Sequence, residues 1–372
     1  FEHMMFEGSE NAPKGEHSRL LRAAGATNLN ASTSEDRTNY YQVVPPSRMN
    51  LALWLESDRM RALQVTEPQL RNQQEIVKEE RRLRVDNAPY SPSLNLARTK
   101  PFSGSTCFSY SHDVIGSMAD LDSARIEDVQ QFFRTYYAPN NATLTLTGDF
   151  DPAQARQLVQ QYFASIPAVQ APPPVQCENA FTNLPSRDTI RDMNAPLPAF
   201  MAAYGAVPVT HDDAYALELL SNIMGTGNSS RLNQRLVKQE RAASLATLFS
   251  DLRRGSGLMF FYLRSNQGVD AGRLESLLDE EIDKLLRDGV TQAELDRAKN
   301  QQRASFIRGM QTAMGRAETL QMYALYFGDP AEVRNAVARY DAVTREDVLR
   351  VARQYLRPDN RAVVVTLPGR TQ

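Results

Sequence analysis

The sequence predicts an α+β fold: two homologous domains produced by duplication, each a mixed, mostly antiparallel sheet with helices packed on one face. Three observations lead there. Strand and helix patterns are interleaved in both halves without strict β-α-β alternation. The segment opening at Glu127-Asp128-Val129 repeats at Glu346-Asp347-Val348, a register of 219 residues. A proline-rich stretch, 166–174, lies between the halves and can continue neither a helix nor a central strand.

The repeat is the strongest of the three. At its register Arg134, Tyr136, Pro139 and Asn141 fall on Arg353, Tyr355, Pro358 and Asn360. Each copy reads as a helix, a proline turn and an apolar strand. A weaker echo sets Val65, Thr66 and Leu70 against Val290, Thr291 and Leu295. The domains expected are 1–165, a linker at 166–187, and 188–372. Alternating or continuous apolar runs mark strands at 38–44, 142–147, 198–207, 257–263 and 362–367. Helical periodicity marks 49–63, 67–84, 126–137, 214–224, 271–288, 292–313 and 345–355. Thr66 reads as the N-cap of the second of these, with Gln69 completing a capping box and Asn87 and Pro89 ending it. The first residues, from Phe1 to Phe6, read as helix interior rather than a start. Equal halves imply roughly 40–50 residues before Phe1.

Composition narrows the function. The 42 basic and 44 acidic residues are dispersed, so no nucleic-acid footprint or polybasic membrane patch is expected. No apolar run reaches the ~18 residues of a membrane span. The 2 cysteines, Cys107 and Cys177, have no Cys-x-x-Cys spacing and imply neither a disulfide framework nor a thiolate metal knuckle; whether they pair is open.

Glu2 and His3 adjoin in the first turn, a weak signal alone. Beyond them come Met4-Met5-Phe6-Glu7-Gly8, then Asn30-Ala31-Ser32-Thr33, then Thr38-Asn39-Tyr40-Tyr41. These residues resemble the H-x-x-E-H-M-x-F-x-G and N-A-x-T-x-x-x-x-T-N-Y-Y patterns of the pitrilysin/insulinase family of inverted-motif zinc peptidases. Leu51 to Met60, Val114 to Met118 and Ser229-Ser230-Arg231-Leu232 extend the likeness through nearly all of the chain.

The resemblance implies a Zn2+ cofactor and a peptide substrate. Glu2 becomes the general base and His3 a metal ligand, with the motif's first histidine two positions before Phe1. Histidines four apart share a helix face and can reach one ion. The third ligand is expected about seventy-five residues on, at Glu79 or Glu80. Periodicity favours Glu80, which shares a stripe with Ile76, Val77 and Leu83. Phe6 is a candidate wall of a substrate pocket or plain core. Asn30 and Ala31 resemble an exposed edge strand that pairs with substrate backbone. His17, His112 and His211 are expected as surface or capping groups.

The second half lacks a His-x-x-Glu-His, with Ser305 where the weaker register would place Glu80, so no second metal site is expected. An arginine and a tyrosine that contact peptide in self-sufficient family members correspond here to Val237 and Ser244. Transition-state charge needs donors placed in advance, and losing one costs about 10²–10³ in rate. The resemblance therefore implies a partner, either a second pitrilysin-type half in tandem or the other subunit of a heterodimer. Alone, the chain is expected to bind zinc poorly and to be inactive for want of one ligand. The alternative is a non-catalytic structural or substrate-binding subunit. The family's tandem members lean toward a bacterial periplasmic or other extracytoplasmic location.

Overall fold

The computed structural model describes residues 1–172 and 176–369. Pro173, Pro174 and Val175 of the expected linker, and the last three residues, lie outside the described residues. The architecture is α+β and forms two compact units. The first comprises Phe1–Glu79, Val114–Pro174 and Gly309–Ala331; the second comprises Glu80–Asp113, Val175–Arg308 and Glu332–Gln372.

The first unit opens with a single 3₁₀ turn, Glu2–Phe6, where the sequence reads as helix interior. Helix α1 (Glu16–Ala23) leads to an antiparallel hairpin of β1 (Thr27–Thr33) and β2 (Thr38–Val43). Helices α2 (Met49–Ala62) and α3 (Glu67–Arg81) come next. As expected, Gln69 reaches back to the Thr66 N–H at 3.0 Å, satisfying a donor at the start of α3. The remaining α-helices described in this unit are Met118–Ser123, Ile126–Tyr136, Pro152–Phe163 and Ala313–Met322. Its apolar cluster gathers Ala12, Leu21, Ala52 and Leu55, with Leu29, Val44 and Trp54 around them.

The second unit is built on a five-stranded sheet in the order β3-β7-β4-β6-β5. The strands are β3 (Ser186–Asp192), β4 (Ala199–Ala206), β5 (Ala243–Leu252), β6 (Gly257–Ser265) and β7 (Arg361–Pro368). All pairings are antiparallel except β3 with β7. Every residue of β4 is buried, and its side chains alternate between two cores. Phe200, Ala202 and Tyr204 join the larger core, with side chains from helices Asp213–Gly225, Ala271–Asp288 and Arg345–Tyr355. Ala199, Met201 and Ala203 join the other, beneath helix α4 (Ser91–Thr99) and the chain around Phe102 and Tyr110. Helices therefore cover the main face, and α4 with its flanks closes the opposite one. At Gly225 the helix crosses β5 so closely that a Cβ would stand 1.9 Å from the Leu248 backbone nitrogen.

The repeated segments share a local hydrogen bond. Asn141 Nδ2 donates to the Tyr136 carbonyl at 2.9 Å, and Asn360 Nδ2 donates to the Tyr355 carbonyl at 2.9 Å. Each closes a 3₁₀ proline turn behind its helix. The copies then diverge: 361–368 joins the sheet, whereas 142–147 forms no ladder among the described residues, contrary to expectation. A strand exists only through its neighbours, and an apolar run without them remains extended coil. The helix expected over 292–313 breaks after Gly309, and Thr312 caps a new one.

Cys107 and Cys177, whose pairing the sequence leaves open, form a disulfide within the second unit. The Cys177 carbonyl accepts from Ser256 Oγ at 2.5 Å, and the Tyr110 hydroxyl accepts from the Gly255 N–H at 3.0 Å, so the bridge fastens the segment under α4 to the β5–β6 turn. For the sequence separation of 70, constraint of the unfolded chain is worth on the order of 4 kcal/mol. Replacing both cysteines by serine is expected to lower the second unit's denaturant midpoint by a comparable free energy, measured by urea unfolding under non-reducing conditions.

Candidate functional site

The 3₁₀ turn buries Met4 and Met5 and leaves Glu2, His3 and Phe6 at partly exposed positions. A buried acid fixes the bend after this turn. Asp58 of α2 accepts from Ser9 Oγ at 2.6 Å, from the Asn11 N–H at 3.0 Å and from Asn11 Nδ2 at 2.7 Å. Burial pushes the Asp58 carboxyl up, but these donors and Arg61 outweigh it and hold it below the usual range. Gly8 takes φ +121°, and a Cβ there would meet the Lys14 backbone nitrogen at 2.6 Å, so only glycine fits the bend.

Both polar residues of the turn have partners. Thr33 Oγ1, at the end of β1, donates to Glu2 Oε2 at 2.5 Å. His3 Nδ1 stands 3.1 Å from Gln73 Oε1 on α3. Gln73 Nε2 donates in turn to Glu7 Oε1 at 2.7 Å, and Gln69, one turn earlier, donates to the Glu7 carbonyl at 3.0 Å.

Phe6 is half-buried, 5.9 Å from the Tyr40 ring and 6.4 Å from that of His17, with the Arg59 guanidinium 5.5 Å from its centroid. Arg59 also lies 4.6 Å over Tyr40 and forms two hydrogen bonds with Glu56 through Nη2 and one through Nε. The Tyr40 and Tyr137 hydroxyls are 2.8 Å apart. Burial first, then the Tyr137 phenol, and to a lesser degree the Glu2 charge, raise the Tyr40 phenol far above its usual value. Both tyrosines therefore remain neutral donors.

On β1, Asn30 is exposed and Ala31 is buried, opposite Tyr41 and Tyr40 of β2. The Ala31 N–H donates to Asn30's own Oδ1 at 2.9 Å. The other edge of β1 pairs with no strand among the described residues.

The boundary between the units falls after Glu79, so Glu80 belongs to the second unit, where Arg84 Nη1 lies 2.9 Å from its Oε1. Glu80 is half-buried and Glu79 exposed, the order of burial that periodicity predicts. The stripe itself differs from expectation: Ile76 and Leu83 are 44% and 65% exposed, and the inward positions of α3 are Leu70 and Gln73. A polar side chain at position 73 thus takes an inward site that hydropathy assigns to its apolar neighbours. Among the described residues, no cluster of three or more His, Cys, Asp or Glu side chains surrounds a cation site.

Of the remaining histidines, His211 accepts from the Asp213 N–H at the start of its helix, and His112 is exposed. His17 is not a surface group: it is 3% exposed, with Nε2 3.8 Å from Glu56. The apolar face of α1 carries it inward beside Leu21. Sequence reasoning gives no role to Thr33 or Tyr40, although both stand within the family-like motifs. The inward place of Gln73 runs against the hydropathy of its helix, and Tyr137 has no signal in sequence.

Residues 1–100 match the family described as insulinase (peptidase family M16), and residues 123–302 match the peptidase M16 inactive domain. The chain is similar to the zinc protease PqqE of Helicobacter pylori, at 27% identity over 99% of this chain and 82% of that protein. It is also similar to the probable mitochondrial-processing peptidase subunit beta of Arabidopsis thaliana, at 24% identity over 95% of this chain and 67% of that protein. A crystal structure of a protease from Helicobacter pylori superimposes with a TM-score of 0.90 at 26% identity, covering 99% of this chain and 88% of the other.

Burial first, then the Arg59 charge, lowers the His17 imidazole to about 4, so the fold holds it neutral. The unfolded chain takes up its proton near pH 6.5 and the folded chain does not until about pH 4, so stability falls as pH drops through that window. The loss attributable to His17 is on the order of 3 kcal/mol. Urea unfolding of His17→Gln across the same window is expected to show a shallower dependence on pH than the parent protein. With two matching family models spanning most of its length and a full-length structural match, the chain belongs to the pitrilysin/insulinase family, peptidase family M16.

Proposed function

We propose that this chain is the metal-bearing part of a zinc-dependent endopeptidase that cleaves peptides or unfolded polypeptides and is completed by a second half or subunit of the same family. The observation that carries the reading is the turn Glu2–Phe6, where a carboxylate and an imidazole are adjacent and each is held from outside the turn, Glu2 by Thr33 and His3 by Gln73. Metal-ligating imidazoles characteristically have their second ring nitrogen engaged by a carbonyl or carboxylate oxygen, and His3 has that arrangement. His3 and Glu80 are the ligands this chain contributes. Zinc, when bound, supplies a water acidic enough to lose a proton near pH 7.

The chain's own residues have separate tasks. With Oε2 fixed by Thr33, Glu2 takes a proton at Oε1 and returns it to the leaving amine. Substrate backbone adds as a strand at Asn30 and Ala31, and Phe6, braced by Arg59 and Tyr40, walls a side-chain pocket. The Helicobacter pylori and Arabidopsis thaliana relatives, named as a zinc protease and a probable peptidase subunit, support the chemistry and the need for a partner. The absence of the expected arginine and tyrosine, replaced by Val237 and Ser244, supports the same need. The Cys107–Cys177 bridge supports an oxidising, extracytoplasmic location.

A non-catalytic subunit is the second reading, and the pairing of Glu80 with Arg84 favours it. Two variants of the full-length protein, assayed with its partner on an unfolded polypeptide, separate the readings. Glu2→Gln is expected to lower kcat by about 10²–10⁴ while leaving bound zinc unchanged. Glu80→Gln is expected to lose zinc as well as activity. Unchanged turnover in Glu2→Gln would establish the non-catalytic reading.

A further inference from the structure

The contacts of Glu7 extend the reading of His3 as a zinc ligand, on which this inference rests. Glu7 is 5% exposed and Gln73 9%, so neither is freely solvated, and each must find partners of the correct polarity. Lys14 Nζ lies 2.7 Å from Glu7 Oε2, and Gln73 Nε2 donates to Glu7 Oε1 at 2.7 Å. A carboxylate beside an ammonium can only accept. The Gln73 amide therefore has one permitted orientation, its NH₂ toward Glu7 and its carbonyl oxygen toward His3. The reversed amide would set two oxygens against each other in a buried site and leave the NH₂ facing a ring nitrogen.

A carbonyl oxygen cannot donate, so the ring nitrogen it meets must carry the proton. That nitrogen is His3 Nδ1, at 3.1 Å. We propose that Glu7, acting through Gln73, fixes the neutral His3 ring as the Nδ1–H tautomer and so makes Nε2 the nitrogen presented to a metal ion. Glu7 and Gln73 are positioning residues: neither touches substrate or metal, and their effect is carried by one amide orientation. Gln69 stabilises the arrangement by binding the Glu7 backbone carbonyl from the same face of α3.

The polarity of the relay makes it testable by exchange. In metal-free protein labelled with ¹⁵N-histidine, with His3 assigned by its loss in His3→Gln, long-range ¹H–¹⁵N correlation is expected to show the neutral His3 ring protonated at Nδ1. Glu7→Gln removes the group that dictates the amide orientation, and the ring is expected to move toward the Nε2–H form. Zinc affinity should fall about 10–100-fold, as for other partners of metal-ligating histidines. The exchange Glu7→Gln with Gln73→Glu places a carboxylate against Nδ1 and an amide donor behind it, and is expected to restore both the Nδ1–H signal and the affinity. Should Glu7→Gln lose the fold, Gln73→Met removes the acceptor while leaving the Lys14–Glu7 pair, and reads the same tautomer. A His3 ring protonated at Nε2 in the parent protein, or indifferent to these changes, overturns the relay. A ring that follows the exchange in a protein with no affinity for zinc upholds the relay and removes the metal reading instead.

Discussion

The candidate site depends on the docking of one helix face. Helix α3 meets the turn Glu2–Phe6 and the bend after it through two glutamines, Gln69 and Gln73, which bind the Glu7 carbonyl and carboxylate. These contacts are largely withdrawn from water, where a polar group without a partner costs about 1–3 kcal/mol. The network is therefore stable only when complete, and completeness fixes rotamers. An apolar contact of similar area would hold α3 in place without specifying the orientation of a single ring. The chemistry proposed for Glu2 and His3 requires that additional specification.

The second unit achieves rigidity differently. Its sheet is covered on both faces, so β4 can be apolar throughout, and its stability comes from burying Phe200, Met201 and Tyr204 rather than from polar precision. Some polar contacts lie at the margin of that core. Asp213, at the head of its helix, accepts from Arg350 at 2.7 Å and from Tyr355 at 2.7 Å. Burial pushes its carboxyl up, but these two donors hold it below the usual range. The two units thus differ in kind, a precise polar turn in one and a thick apolar sheet in the other.

Much of this is legible in the sequence, for identifiable reasons. Strands β2, β4, β6 and β7 are apolar or alternating runs bounded by turn residues, which is the signal that burial writes into a chain. The proline turns with their asparagines are legible because the Asn141 and Asn360 side chains answer a local backbone requirement, the carbonyl at a helix end. What depends on distant partners is not legible. The run at 142–147 has a strand's composition without a strand's neighbours. Strand β3, with charged residues in adjacent pairs at 187–188 and 191–192, lacks an alternating pattern and takes its place only through its parallel pairing with β7. On α3 the hydropathy of Ile76 and Leu83 is a poor guide, because the inward position at Gln73 serves a carboxylate 66 residues away in the chain, not an apolar core. Of the site, Glu2, His3 and Thr33 stand within recognisable motifs, whereas the roles of Glu7 and Tyr137 arise only from three-dimensional neighbours.

The side chain of Asn30 has a further consequence. A strand with one unpaired edge is a template for unwanted association with other chains. By folding its amide oxygen onto the Ala31 N–H, Asn30 keeps that donor satisfied while the edge is empty. If substrate backbone adds to this edge as proposed, it must first displace the tether, and capture would begin as a competition between an intramolecular and an intermolecular acceptor. Segments able to offer several consecutive backbone groups can win that contest, while chance encounters offering a single one gain little. On the proposed reading of Asn30 and Ala31, the tether would act as a threshold on the extended length of a peptide, imposed by the chain's own strand.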